Sequence, residues 1–392
     1  MALGFAPYLL GNLKSLMDLN YAGLKITPAG LVKLAVTNNP KLNISSINGE
    51  STNGLKLSTG GGQIREVRYK FLPPIVPSQV ASEDNCDNDV SFQYSEGTLS
   101  APLYSKLSFL LEWGFVERYQ AESVRVQQIG AAPTTPVLME LFDQLMHCVR
   151  GIVGKMDSEL LGQVVWGTNV TTGNNAAKTI NINKDGSVFD LSGGMIELLS
   201  DVAENEISGD ILLAGSGLAN KYDIARRSAA IGLNGAGLNQ AAIGGYEWYN
   251  DLQAATVWGQ NQVGAFAKGA IGLVDIDRYI AWKNGRHGTS IFTQIELPVS
   301  SGEGVVFLPF NLQIKEIDCP TEMFDGYTTR VVDRGYQVIV SKNYGLYQPP
   351  TSIYQAADRM SGFNGALRYE FTNDCAPCDS APKPIFPPMG NN

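Results

Sequence analysis

The 392 residues exceed the length of an ordinary single domain, so two cores, or one core with large extensions, are expected. Apolar residues make up 44% and charged ones only 17%, leaving much neutral surface that is cheap to bury against another subunit, and the net charge of −9 argues against a dedicated nucleic-acid binder. No run of eighteen apolar residues occurs, so no membrane span is expected, and the opening MALGFAPYLLGNLKSLMDL lacks the basic stretch of a secretory signal, which makes cytoplasmic folding the expectation.

Residues 1–50 read as an arm. Leu9, Leu10, Leu13, Leu16 and Met17 form short apolar clusters among Gly, Asn and Pro, with a helix expected at 28–37. Such a segment cannot close a core by itself. Residues 51–115 read as a long β excursion, because Val67, Tyr69 and Phe71 alternate with Arg68 and Lys70, and Val90, Phe92 and Tyr94 alternate with Ser91 and Gln93. The segment between them, PPIVPSQVASEDNCDND, has no periodicity, and compact domains seldom carry so long a loop unless it meets a partner. A two-stranded ribbon of this kind is marginally stable alone.

A long helix is expected at 136–166. Thr135 and Pro136 supply an N-cap and a first-turn proline, and Leu138, Leu141, Leu145, Val149, Ile152, Met156, Leu160 and Val164 recur at threes and fours. Trp166 and Gly167 mark its stop. A hairpin is expected next, with strands 179–183 and 187–191 about a turn at 184–186. Then come a helix at about 194–205 burying Ile196, Leu199 and Val202, a strand at 210–214, and a helix at 218–229. Residues 230–262 read as irregular loops and short strands, and 266–282 mix strand and helix signals. Late strands are expected at 312–317, 336–341 and 367–371, before a proline-rich extended tail over 376–392.

Catalytic equipment is scarce. Gly215-Ser216-Gly217 follows a strand, but Asn220 takes the third glycine position of a dinucleotide turn, so an ordinary strand-to-helix turn is expected. Gly60-Gly61-Gly62 lacks the Lys-Ser or Lys-Thr of a phosphate loop. The two histidines, His147 in the long helix and His287 in a turn, offer little for nucleophile activation, and Ser216 lacks a G-x-S-x-G frame. Five cysteines (Cys86, Cys148, Cys319, Cys375, Cys378) are too few for a disulfide scaffold. Cys375 and Cys378 form one C-x-x-C, which Cys86 and Cys319 would have to complete as a four-thiol zinc set; free thiols are the expectation, with a disulfide or zinc as alternatives. Asn85, Asp87, Asp89 and Glu96 fit part of a calcium-loop spacing, but Val90 stands at the glycine position, which favours a solvated acidic loop. The expectation is a protein that is not an enzyme and needs no cofactor.

The order of arm, β excursion, long helix, mixed lobe and return strands resembles that of the major capsid proteins of tailed bacteriophages, whose shell fold is shared with encapsulins and herpesvirus capsid cores. The resemblance implies an α+β fold with an N-terminal arm at 1–50 and an extended β loop at 51–115. A peripheral domain follows at 116–205 around a spine helix at 136–166, then an axial domain at 206–315. The axial segment includes DILLAGSGLANKYDIARRSAA and GAFAKGAIGLVDIDRYIAWKNGRHG. Return strands at 316–375 and an extended tail complete it. It also implies self-assembly into hexamers and pentamers of an icosahedral virion shell that encloses double-stranded DNA without sequence-specific binding and is assembled in the host cytoplasm. Portal, scaffolding and decoration proteins are the further partners it implies. No long charged coiled-coil opens the sequence, so a separate scaffolding protein, or none, is expected. Expected inter-subunit contacts are Arg65, Val67, Arg68, Tyr69, Lys70, Phe71, Val90, Phe92 and Tyr94. Arg65, Arg68 and Lys70 would meet Glu83, Asp84, Asp87 and Asp89 of an adjacent copy. A tail, baseplate or surface-layer module is the alternative.

Overall fold

The computed structural model describes residues 30–37, 43–47, 50–51, 64, 66–71, 94–99, 102–129, 136–181, 191–207, 209–214, 246–279, 285–287, 290–300, 305–317, 321–324, 329–332, 335–348 and 363–372. In chain order the first elements are helix α1 (Gly30–Thr37) and strands β1 (Asn43–Ile47), β2 (Glu50–Ser51), β3 (Val67–Phe71), β4 (Ser95–Leu99) and β5 (Leu103–Glu112). Helices α2 (Trp113–Ile129) and α3 (Pro136–Gln163) follow. Next are β6 (Lys178–Asn181), α4 (Leu191–Glu204), β7 (Gly209–Ala214), β8 (Glu247–Asp251), α5 (Leu252–Val257) and β9 (Gln262–Ala267). The last strands are β10 (Gly272–Asp275), β11 (Gly285–His287), β12 (Ser290–Ser300), β13 (Val305–Ile317), β14 (Thr321–Phe324), β15 (Thr329–Val332), β16 (Gly335–Tyr347) and β17 (Ala366–Thr372). The mixture is α+β, as expected.

The chain divides into two units, one from Met1–Val165 and Lys268–Asn364, the other from Trp166–Ala267 and Gly365–Asn392. The first is organised by β16, a strand buried on both faces. One edge of β16 pairs with β5 from Gly335↔Glu112 to Tyr344↔Leu103. The other pairs with β13 as far as Ser341↔Asn311 and then with β10 from Tyr344↔Asp275. β12 extends this sheet through an antiparallel ladder running from Ser290↔Lys315 to Ser300↔Val305. β12 is absent from the sequence expectation because Pro298 interrupts its pattern, and proline argues against an interior strand. Both strand prolines sit where the sheet is narrow. Pro309 of β13 lies beyond the ladder with β16, and Pro298 lies beyond the short β11–β12 pairing.

Helix α3 has 28 residues and spans about 42 Å at the α-helical rise. Leu141, Leu145, Val149, Ile152, Met156 and Leu160 are all buried, and the helix packs on β5, β16 and α1. It stops three residues short of the expected end because the backbone of Val165 finds side-chain partners instead. Gln348 Oε1 accepts from Val165 N at 2.7 Å, while Gln348 Nε2 and Asn364 Nδ2 donate to Val165 O at 2.9 and 2.8 Å. The buried Asp157 of α3 accepts from Val32 N at 3.0 Å and so closes the first turn of α1. Helix α2 corrects the reading of 113–115 as the end of the β excursion: Phe115, Val116 and Tyr119 bury one helical face.

The second unit is built on a five-stranded sheet in the order β6-β17-β9-β7-β8. β17, from far along the chain, pairs in parallel with β6 and antiparallel with β9. The second hairpin arm, 187–190, lies outside the described residues, and Leu191 opens α4 rather than ending a strand. On α4 Leu198, Asp201 and Val202 are buried, Leu199 is half-buried and Ile196 is exposed. β12 and β13 join the sheet of β16 in the first unit, and β17, within the return strands expected at 316–375, completes the second sheet.

Candidate assembly surface

Strands β2, β1, β3 and β4 form a separate antiparallel sheet. On β3 the expected alternation is present, with Val67 and Tyr69 buried, Arg68 and Lys70 exposed, and Phe71 half-buried. The inner face packs on its own unit. Val67 and Tyr69 form one cluster with Ile44, Ile47, Ile64, Val274, Ile276 and Tyr347, and Phe71 and Leu99 pack at its margin. Tyr69 Oη donates to the carbonyl of Gln348 at 3.4 Å. Val67 and Tyr69, expected at a contact with a neighbouring copy, are 1% and 7% exposed within this chain.

The outer face remains. Lys70 stands opposite Glu96 and Arg68 opposite Thr98 in the β3–β4 ladder, and all four are exposed. Arg68 Nε also pairs with Glu66, whose carboxylate holds the guanidinium above its ordinary value. Tyr94, just before β4, is 60% exposed. The surface so formed is charged and hydrogen-bonding, with one aromatic at its end. Arg65, Val90 and Phe92 lie outside the described residues, as do Glu83, Asp84, Asp87 and Asp89.

Two buried polar clusters escape sequence reasoning. In the first unit Lys342 Nζ, 0% exposed, donates to Asp275 Oδ1 at 2.9 Å and to Pro309 O at 2.7 Å, lies 3.9 Å from Asp277 Oδ2, and sits over the Phe310 ring at 5.1 Å. Asp275 Oδ2 accepts from Arg278 Nε at 3.0 Å. Asp277 Oδ1 accepts from the side chains of Asn311 and Asn343, and its Oδ2 accepts from Asn343 N. Burial pushes the Asp277 carboxyl up, aided by the charge of Asp275 and opposed by Lys342 and Asn343. The only trace in the sequence is charge set in apolar strands, GLVDIDRY and VIVSKNYG.

In the second unit Asp201, 1% exposed, is held by Asn169 Nδ2 at 2.7 Å, by Tyr369 Oη at 2.8 Å, and by Thr171 and Lys178. Burial alone would raise its carboxyl, but the hydrogen bonds from Lys178, Thr171, Asn169 and Tyr369 outweigh that and hold it below the usual range. Asn205 Nδ2 donates to Asp201 O and to Asn169 Oδ1, at 2.7 and 3.3 Å, and thereby ties the end of α4 to the loop before β6. Every member faces a partner within the fold, which is the arrangement of a structural lock.

His147 is exposed on α3, and the neighbouring Cys148 is buried, where desolvation pushes its thiol up to about 11. Cys86, Cys319, Cys375 and Cys378, the glycine turn at 215–217 and the helix at 218–229 lie outside the described residues. Of the calcium-spaced set, Glu96 is exposed on β4 and the others are likewise outside. Among the described residues no group of three or more His, Cys, Asp or Glu is placed to hold a metal ion, and no helix is long and apolar enough to cross a membrane. An open cleft of about 560 Å³ between β5, α2 and α3 is lined by Leu110, Glu112, Phe115, Arg118, Glu140 and Gln144, with Arg118 Nη1 3.5 Å from Glu140.

No family model matches the chain, and no curated protein matches it. Solved structures from bacteriophages are similar to it. A structure of Mycobacterium phage Cain is 10% identical, with 89% of this chain and 92% of that chain covered at a TM-score of 0.41. A capsid structure of cyanophage P-SCSP1u is 10% identical over 82% of this chain and 86% of that chain at 0.36. The capsid of Myoviridae phage XM1 is 10% identical over 81% and 90% at 0.34.

Proposed function

We propose that the chain is a shell subunit of the tailed-phage capsid type, assembling with copies of itself into hexamers and pentamers of a closed icosahedral particle that encloses double-stranded DNA. The observation that carries the reading is the build of the first unit. A 28-residue helix lies along a long antiparallel sheet, and a second unit with its own mixed sheet is built from Trp166–Ala267 and Gly365–Asn392. That order is the one the resemblance to major capsid proteins implies. In this reading the first unit is the peripheral domain with α3 as its spine, and the second, with amended limits, is the axial domain.

The neighbour-facing surface is the outer side of β3 and β4, with Arg68, Lys70, Glu96 and Tyr94, joined by the segment 72–93 that holds Val90 and Phe92. Contacts of this kind are individually weak, but many act together in a closed shell. The apolar side of β3 contributes indirectly, by fixing the outer side to a rigid core. Portal, scaffolding and decoration proteins would be the further partners.

Negative-stain microscopy and light scattering on the purified chain test the proposal. Shells or capsomer rings are expected. A monomer that stays monomeric at high concentration would overturn it.

A further inference from the structure

We infer that the Lys342 amine and the Asp275 carboxyl condense into an intrachain side-chain amide, with Asp277 carrying the proton. The inference stands apart from the shell reading, because it concerns only groups inside the first unit.

The strand ladder sets the geometry. β10 and β16 run antiparallel with Asp275 opposite Tyr344, so Lys342, two residues along, leaves the same face and meets Asp275 on the diagonal. The amine nitrogen lies 2.9 Å from one oxygen of the carboxyl that would acylate it, and both side chains are closed off from solvent. Holding two reactants in one site replaces a bimolecular encounter with a single-molecule step and so removes the encounter part of the barrier. Exclusion of water also removes the reagent that would reverse the reaction.

Electrostatics favours the product. A lysine and two carboxylates buried together lose hydration that their mutual attraction only partly returns. The amide removes one positive and one negative charge from that space and leaves a neutral group, with Pro309 O and Arg278 Nε in place to hydrogen-bond it. Asp277 is the remaining carboxylate, 3.9 Å from the amine, and burial raises its affinity for a proton, which suits it to accept one from the ammonium. The Phe310 ring covers the amine from another side.

The step balances without any co-reactant. Asp277 takes a proton from the Lys342 ammonium. The freed lone pair forms the N–Cγ bond with Asp275, while Arg278 steadies the oxygen that gains charge. The other Cγ–O bond then breaks, and the oxygen leaves as water with the proton from Asp277 and a second hydrogen from the nitrogen. One of the three ammonium hydrogens stays on the amide.

Intact-mass measurement of the folded, then denatured, full chain decides the matter, together with proteolytic mapping. The expected result is a chain lighter by one water and a branched peptide joining the segments that hold Asp275 and Lys342. Lys342→Arg and Asp275→Ala are expected to restore the full mass, as is chain kept unfolded from synthesis onward. Asp277→Asn, which keeps the site's shape, is expected to show full mass while its circular dichroism stays native. Wild-type chain at full sequence mass with only linear peptides would overturn the inference. A folded Asp277→Asn chain that still lost water would remove Asp277 from the mechanism.

Discussion

Tyr69 stands edge-on to Tyr347, with ring centroids 5.0 Å apart and planes at 79°, so the strand that displays Arg68 and Lys70 is anchored by an aromatic contact to the last residue of strand β16. The two sides of β3 therefore have separate jobs, and substitutions should separate them. Tyr69→Ala is expected to destabilise the first unit by about 3 kcal/mol, the usual cost of removing a buried aromatic, read by chemical denaturation. Reversing the charges of Arg68 and Lys70 should leave stability within about 0.5 kcal/mol while lowering the yield of particles in sedimentation.

Deleting residues 73–90 should give a soluble chain, because β3 and β4 on either side of the segment hold each other through their own ladder, yet one that no longer closes shells. Normal particles by microscopy would remove the clasp role from this segment.

Glycine has opposite value at two positions. A Cβ on Gly335 would lie 2.4 Å from the backbone oxygen of Leu111, which cannot yield without breaking the β5–β16 ladder. Gly335→Ala is expected to cost about 2 kcal/mol or more, as overpacking does. Gly151, on the exposed side of α3, has only Leu107 within reach at 3.7 Å. Gly151→Ala should stabilise by up to about 1 kcal/mol through helix propensity. Paired thermal melts check both signs.

The Asp201 cluster predicts a pH dependence. The folded-state pKa of Asp201 is depressed, so its contribution is present above the unfolded value of about 3.9 and is lost as pH falls through the folded value. Asp201→Asn should be less stable than wild type by roughly 1–3 kcal/mol at neutral pH, with the gap closing as the medium is acidified below about pH 4. A gap that stays constant down to pH 2 would contradict the hydrogen-bond account.

Cys148 should be inert in the native chain. Its thiol is buried and titrates only near 11, so at neutral pH it is a protonated core side chain. Alkylation followed by peptide mapping is expected to label it only after denaturation.

What the sequence makes legible is set by the range of the interactions. α3 is read almost to the residue because its helical stripe and first-turn proline are local, and the missing three residues at its end depend on Gln348 and Asn364, nearly two hundred positions away. The alternation of β3 announces an inner face but not whose core it enters, and the answer comes from Val274 and Tyr347. α2 is hidden because Phe115, Val116 and Tyr119 follow directly on a strand with no loop between them. β12 is hidden by Pro298. The Lys342 and Asp201 clusters join residues separated by 67 and 168 positions, which no spacing rule connects.

The same long separations bear on how the molecule is made. β5 must wait for residues 335–344 before it has the partner described above, and β6 and β9 stay apart until 366–372 have left the ribosome to slot between them. Both sheets thus close late and almost together, and the half-made polypeptide displays bare strand edges throughout its synthesis. Slow, chaperone-sensitive maturation of the monomer follows directly from that order of events.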